Sequence, residues 1–152
     1  TFADAEAAYP VDANALFYRG CALSDVGRHE EAVRRFERVD ELAPDHLPTL
    51  DYWSTGRIQL GRYDEAVELL QRSDALSPGR GSYNLACVYG LTLRQEECRA
   101  ALARAEEHGT LPSRAHMKED PDLASVRDTD WFRQLLERAP DEEAGDVEDE
   151  RE

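Results

Sequence analysis

Residues 27–44 read GRHEEAVRRFERVDELAP, and residues 61–78 read GRYDEAVELLQRSDALSP. The second stretch begins 34 positions after the first, and both begin with Gly-Arg and end with Pro. A fixed period of roughly 20–50 residues is the signature of repeat architectures. This pair of stretches therefore decides the fold, and the remaining sequence can be aligned outward from it.

Each stretch has the pattern of one amphipathic helix. Its small and apolar residues recur at intervals of three and four, which places them on one helical face. Gly27 and Gly61 precede these helices, at turns that favour a residue tolerant of positive φ. Pro44 and Pro78 follow the helices, because proline cannot continue a helix. The stripe consists of Ala32, Phe36, Val39 and Leu42 in the first stretch and of Ala66, Leu70, Ser73 and Leu76 in the second.

The repeats continue in both directions along the chain, at a spacing of 34 residues upstream and 32 residues downstream. Pro10 precedes Pro44 by 34 residues, which predicts that residues 1–10 are the tail of a helix from an upstream repeat and that the parent chain extends upstream. A third copy follows but is altered, with Leu93 at the position of the turn glycine. Each copy is predicted to be a helix–turn–helix hairpin whose apolar face is covered by stacking on its neighbours. Glu65, Ala66, Leu70 and Ser73 recur 32 residues later in the third copy as Glu97, Cys98, Leu102 and Ala105.

The repeated units resemble those of the tetratricopeptide repeat (TPR) family, in which small, aromatic and proline residues recur in fixed order with a period of 34. Residues 83–91, YNLACVYGL, and residues 120–130, DPDLASVRDTD, are similar to the terminal repeat and closing segment of bacterial TPR arrays. The resemblance implies an all-α fold. It would be a TPR helix–turn–helix solenoid with a right-handed superhelix and C-terminal capping helices.

Period and resemblance together predict six parts of the chain. They are the tail of an upstream repeat helix at 1–10, TPR 1 at 11–46, TPR 2 at 47–80, a divergent terminal TPR at 81–109, capping helices at 110–140 and a disordered acidic tail at 141–152. The expected helices lie near 14–26, 29–42, 47–60, 63–76, 81–92, 95–107, 113–118 and 130–138.

The charge of the chain bears on the kind of partner it binds. With 18 basic and 33 acidic residues, the net charge is −15. Nucleic acids and anionic membrane surfaces are bound by clustered cations, so we expect neither as a partner. Eight of the twelve residues in 141–152 are acidic, and this tail either keeps the protein soluble or docks on a basic partner. Lys118 is the only lysine, which fits either a GC-rich genome or adaptation to high salt.

The sequence contains no pattern that indicates catalysis or a bound cofactor. The four histidines form no paired metal-ligand motif, and neither a phosphate-binding glycine loop nor a nucleophile motif occurs. We therefore expect no enzyme activity, no metal and no cofactor. Cys21, Cys87 and Cys98 lie among apolar helical residues without paired spacing, which favours reduced thiols and a cytoplasmic location. The sequence shows neither a signal peptide nor a transmembrane run.

Function is expected on the inner surface of the solenoid. In TPR proteins the first helix of each hairpin lines a concave groove, so the resemblance and helical phase together indicate the lining. It either binds a peptide with hydrophobic anchors or is a shallow face covered by the chain itself. A clamp of lysine, asparagine and arginine for acidic chaperone tails is missing, so such a tail is not expected as the partner. The expected lining is Asn14, Phe17, Cys21, Asp51, Thr55, Ile58, Gln59, Tyr83, Cys87 and Leu91, with Ser24, Asp25 and Gly90 beside them.

Two functions fit these features. The first is a protein–protein interaction module, a scaffold or adaptor that holds a protein or peptide segment in the groove, with Phe17 and Tyr83 as anchors. The alternative is a regulatory or scaffolding region of a larger protein whose catalytic domain lies upstream. Neither the partner nor the cellular process can be inferred from the residues.

Overall fold

The computed structural model describes residues 12–141. This part of the chain contains eight α-helices, one short 3₁₀ turn and no β-strand, which confirms the all-α prediction. The expectations for residues 1–10 and for the acidic tail beyond Asp141 lie outside the described residues. The chain divides into two compact units between Leu69 and Leu70.

Each helix begins and ends within one residue of its expected span. The helices are α1 (Ala13–Asp25), α2 (His29–Leu42), α3 (Leu47–Gln59), α4 (Tyr63–Leu76), α5 (Ser82–Leu91), α6 (Gln95–Glu107), α7 (Arg114–Glu119) and α8 (Asp130–Arg138), and the 3₁₀ turn is Pro121–Leu123. None of these described helices has the length and apolar character required to cross a bilayer.

In the first unit, α1 and α2 form a hairpin around a glycine turn. Asp12 caps α1 by accepting a hydrogen bond from the Asn14 amide at 3.0 Å. Gly27 adopts a φ of +82°, which a residue without a Cβ reaches without strain. The two helices pack closely at Gly20. A Cβ added there would lie only 2.5 Å from Cε1 of the buried Phe36. The ring of Phe36 therefore packs against the backbone of α1.

The core of the first unit is built on the predicted stripe. Ala32 and Phe36 are buried together with Val33, as the spacing of α2 requires. The third helix contributes Leu50 and Trp53 to this cluster. The partly buried residues packed against the cluster are Phe17, Cys21, Leu23, Leu47 and Leu60.

In the second unit, α5 and α6 form a hairpin whose turn differs from the first. Leu93 adopts a φ of +61° and is 77% exposed. It occupies the position of Gly27 and Gly61, which have φ values of +82° and +73°. The alignment of the third repeat with the first two is thus reflected in its backbone, although a leucine must adopt the left-handed conformation there.

We expect Leu93→Gly to stabilise the protein by about 0.5–1 kcal/mol, because glycine adopts a left-handed conformation without the steric cost that a leucine incurs. Because the Leu93 side chain is exposed, its removal loses little buried apolar area. Urea denaturation of the variant and the parent measures the difference. An equal or lower free energy of unfolding would mean that the Leu93 side chain makes a stabilising contact that outweighs the strain.

The connection between α4 and α5 is fixed by the side chain of Asp74. Its Oδ1 accepts hydrogen bonds from the Gly79 amide at 2.8 Å and from the Ser82 hydroxyl at 3.0 Å, and its Oδ2 lies 2.6 Å from Nε of Arg104. Burial alone would raise the pKa of Asp74, but the Gly79, Arg104 and Ser82 donors together hold this pKa below its usual range. One carboxylate therefore joins three segments of the second unit.

The C-terminal helices cover the apolar face of the second unit. Arg114 of α7 donates through Nε to the carbonyl of Leu136 at 2.7 Å, and its amide donates to the carbonyl of Pro140 at 2.8 Å, which ties α7 to the end of α8. These helices supply the apolar cover that the sequence predicts. Its buried members are Met117, Leu123, Val126, Phe132 and Leu135, whereas Leu111 and Leu136 are half-buried.

Candidate functional site: the α1/α3 face

The exposed face where α1 lies beside α3 carries a cluster of aromatic rings. We call this surface, formed by Asn14, Phe17, Tyr18, Cys21, Asp25, Asp51, Tyr52, Thr55, Ile58 and Gln59, the α1/α3 face. Phe17 stands at the centre of the rings, with centroid distances of 5.4 Å to Tyr18, 5.8 Å to Tyr52 and 5.2 Å to His46. All three partners meet Phe17 edge to face, a favourable arrangement for aromatic pairs.

The rings of this face are accessible to a partner. Tyr18 is 70% exposed and Tyr52 is 40% exposed, while Phe17 is half-buried between them. Beneath, the Phe36 centroid lies 6.2 Å from that of Phe17 and 6.0 Å from that of Tyr52. The buried Phe36 thus fixes the position of the two rings that the surface presents.

Polar groups continue the face along both helices. Thr55 and Gln59 are exposed on α3, and the Thr55 hydroxyl donates to the Asp51 carbonyl at 2.9 Å. On α1, Cys21 is half-buried one turn after Phe17. Burial first, and then the charge of Asp25, raise the pKa of the Cys21 thiol, while a hydrogen bond from Tyr52 acts against this rise. Cys21 is therefore a protonated thiol at neutral pH rather than a nucleophile.

The predicted lining residues of the first unit occupy one surface. Asn14 is exposed like Thr55 and Gln59, whereas Asp51 and Ile58 are half-buried like Phe17 and Cys21. Whether this surface binds a partner stays a prediction.

In the second unit, the segment Asp120–Arg127, here called the closing segment, lies against α5. The Tyr83 hydroxyl donates to Oδ2 of Asp120 at 2.6 Å, and the Ser125 hydroxyl donates to the Gly90 carbonyl at 2.8 Å. Arg127 donates to the Asp120 carbonyl at 2.7 Å and so stabilises the bend of the segment. Burial and the hydrogen bond to Asp120 raise the pKa of Tyr83 above its usual range, so the phenol stays protonated.

Cys87 belongs to the same contact. It is 6% exposed, and its thiol donates to Asp120 at 3.7 Å. Tyr83 and Cys87, two predicted lining residues, are thus directed toward the closing segment, while Leu91 at the end of α5 is exposed. A role of these three residues in partner binding stays a prediction.

The residues described by the structure include one group of side chains that could hold a metal ion, formed by Cys87, Asp120 and Asp122. Their potential ligand atoms lie within 4.8 Å of one another. Burial and the charges of Asp120 and Asp122 raise the pKa of the Cys87 thiol, which opposes the thiolate form that a metal requires. Asp120 also accepts hydrogen bonds from Tyr83, Cys87 and the Asp122 amide, and these account for the cluster as a packing contact.

The sequence analysis missed two residues of the face, Tyr18 and Tyr52, and also His46, whose ring packs against Phe17. Tyr18 lies about 100° around α1 from Phe17, which helical phase alone assigns to a different face. His46 precedes the first residue of α3, and Tyr52 adjoins the predicted Asp51. The signal that could have revealed them is the density of aromatic residues at the start of α1 and α3, in a chain that is only 8% aromatic.

Known proteins support the fold and the repeat. The family model described as tetratricopeptide repeat matches residues 13–46, which hold α1, α2 and the turn after them. Among solved structures, the "MamA RS-1 ArsTM double mutant" is similar to this chain with a TM-score of 0.69 and 21% sequence identity. The similarity covers 88% of this chain and 79% of that chain. No protein in the curated set matches the chain significantly.

The family match covers residues 13–46 and identifies that hairpin as a tetratricopeptide repeat. The tetratricopeptide repeat at residues 13–46 supports a protein-interaction module in general. Proteins of this family are in general non-catalytic scaffolds that bind protein partners.

Proposed function

We propose that the protein is a scaffold or adaptor that binds a segment of a partner protein on the α1/α3 face. The observation that carries this proposal is the exposure of Tyr18 and Tyr52 around Phe17. Exposed apolar residues need no explanation when they are scattered, but contiguous rings in mutual contact mark an interaction surface. Aromatic residues are also those that most often dominate the affinity of protein interfaces.

The polar residues of the face suit the backbone of a bound segment. The Thr55 hydroxyl and the Gln59 amide lie on exposed positions of α3, next to the rings. A segment seated there would bury its own apolar anchor against Phe17 and satisfy its peptide groups with these side chains. This combination of an apolar centre and a polar rim is the usual anatomy of a protein interface.

A photo-crosslinking amino acid at position 55 tests the location of the site in the full chain. We expect it to crosslink a defined partner, whereas the same group at position 100, an exposed position of α6 in the second unit, crosslinks none. With the crosslinked partner in purified form, Thr55→Arg should lower the affinity about tenfold or more, because the long side chain obstructs the rings. Ala100→Arg, at the exposed position of α6, should leave the affinity within about twofold. Equal effects of the two arginine variants would contradict the proposal.

A further inference from the structure

The α1/α3 face is depleted of arginine and lysine. Helix α1 contains one such residue, Arg19, and α3 contains one, Arg57. Arg19 follows Phe17 by two positions, which is about 200° around the helix and therefore on the opposite side. Arg57 is turned to the interior side of α3, with its guanidinium 4.9 Å from the Trp53 ring centroid and 3.4 Å from a carboxylate oxygen of Glu37.

Carboxylates stand on the same face as the rings. Asp25 is exposed and follows Tyr18 by seven positions, so it lies about two turns further along the same side of α1. Asp51 adds a second negative charge directly before Tyr52. The net charge of −15 adds to the negative potential of this face, and the potential of the whole chain therefore favours the approach of a cation.

Rings and carboxylates in this arrangement select one kind of side chain. The faces of Tyr and Phe rings attract cations, and a carboxylate binds a guanidinium through two parallel hydrogen bonds. An arginine can stack on Tyr18 or Tyr52 and still reach a carboxylate along the helix, since its planar group makes both contacts at once. A lysine supplies the charge without the planar fork, and an acidic residue would be repelled.

We infer that the ligand of the α1/α3 face is a protein segment that presents an arginine, with the guanidinium bound between the exposed tyrosine rings and Asp25. This inference rests on the proposed function, because it names the chemistry of the segment that the same face binds. A neutral segment would form no ion pair with Asp25.

The test uses the full chain and four matched fluorescent peptides that differ only at the central residue, which is Arg, Lys, Gln or Glu between leucines. Fluorescence polarisation at fixed ionic strength should give the tightest binding for the Arg peptide and weaker binding for the Lys peptide. We expect the Gln peptide to bind about tenfold more weakly than the Arg peptide, as the loss of a charged, stacked contact implies. The Glu peptide should not bind.

Two variants with the same change in net charge separate a local site from general attraction. Asp25→Asn should weaken binding of the Arg peptide about fivefold or more and leave the Gln peptide unchanged. Asp128→Asn, at a side chain that is 96% exposed in the second unit, should change neither. Asparagine in place of Asp25 also preserves the fold, because a negative charge in the last turn of α1 is unfavourable to the helix.

Three results would overturn the inference. Equal affinity for the Arg and Gln peptides would show that the face does not select a cation, while the crosslink from position 55 could still support the proposed function. Equal losses in the two asparagine variants would assign the effect to net charge alone. Failure of all four peptides to bind would exclude an arginine-centred ligand of this kind, whereas a missing crosslink from position 55 would count against the proposed function itself.

Discussion

Gly90→Ala is expected to detach the closing segment from α5 and to lower the free energy of unfolding by about 2–3 kcal/mol. An alanine Cβ at this position would overlap the carbonyl oxygen of Asp122, which is a backbone atom and has no rotamer through which to withdraw. The segment would have to move away, and the hydrogen bonds from Ser125 to Gly90 and from Tyr83 to Asp120 would be lost with it.

The sign of this effect is set by a competition. Alanine is a better helix former than glycine by about 1 kcal/mol, so an alanine that met no obstacle would stabilise α5. The overlap with the closing segment outweighs this gain, because Leu123 and Val126, which follow the displaced backbone, are fully buried. Exposing such residues costs on the order of 1.5–3 kcal/mol for each side chain that leaves the core.

Urea denaturation gives the change in stability, and hydrogen exchange gives its location. The amides of Ala124 and Val126, which donate to Pro121 and Leu123, should exchange faster in the variant than in the parent. The matched control is Gly56→Ala in α3, where the new Cβ would lie 3.0 Å from Cγ2 of Val33, a tight side-chain contact rather than an overlap with backbone. An equal response of the two variants would contradict the role of the closing segment.

The sequence predicted the helices because their signals are local. Turn glycines, prolines and stripes spaced by three and four residues depend on the helix itself, and so every helix begins and ends within one residue of its expected span. The turn of the third repeat was located by alignment even though Leu93 replaces the glycine there, since the neighbouring stripe fixed the register. Leucine has no local preference for a positive φ, so only the alignment indicates that Leu93 adopts a φ of +61° at this turn.

The candidate site was predicted only in part, because its chemistry depends on contacts between segments that are distant in sequence. Helical phase placed Phe17, Cys21 and Thr55 on one surface, but it gave no indication that Tyr18 would meet Phe17 edge to face. Tyr83 illustrates the same limit in the second unit. Its hydroxyl is engaged by Asp120, which lies 37 positions further along the chain, and no periodic pattern predicts that pairing.

Ala32→Leu is expected to destabilise the first unit by about 1–3 kcal/mol through overpacking. Ala32 is completely buried in the cluster that includes Phe36 and Trp53, and interiors packed to this density have no room for three additional carbon atoms. Ala66, which occupies the same position one repeat later and is also completely buried, should respond to Ala66→Leu in the same way.

Leucine and alanine are both good helix formers, so the difference in stability reports packing rather than helix propensity. Ala22→Leu, at an exposed position of α1, is the matched control and should change the free energy of unfolding by no more than about 0.5 kcal/mol. Thermal melts of the three variants compared with the parent make the measurement. If Ala32→Leu and Ala66→Leu had the same melting temperature as the control, the small residues of the repeat would not be the points of close helix approach. The interpretation that the two repeats pack alike would then be wrong.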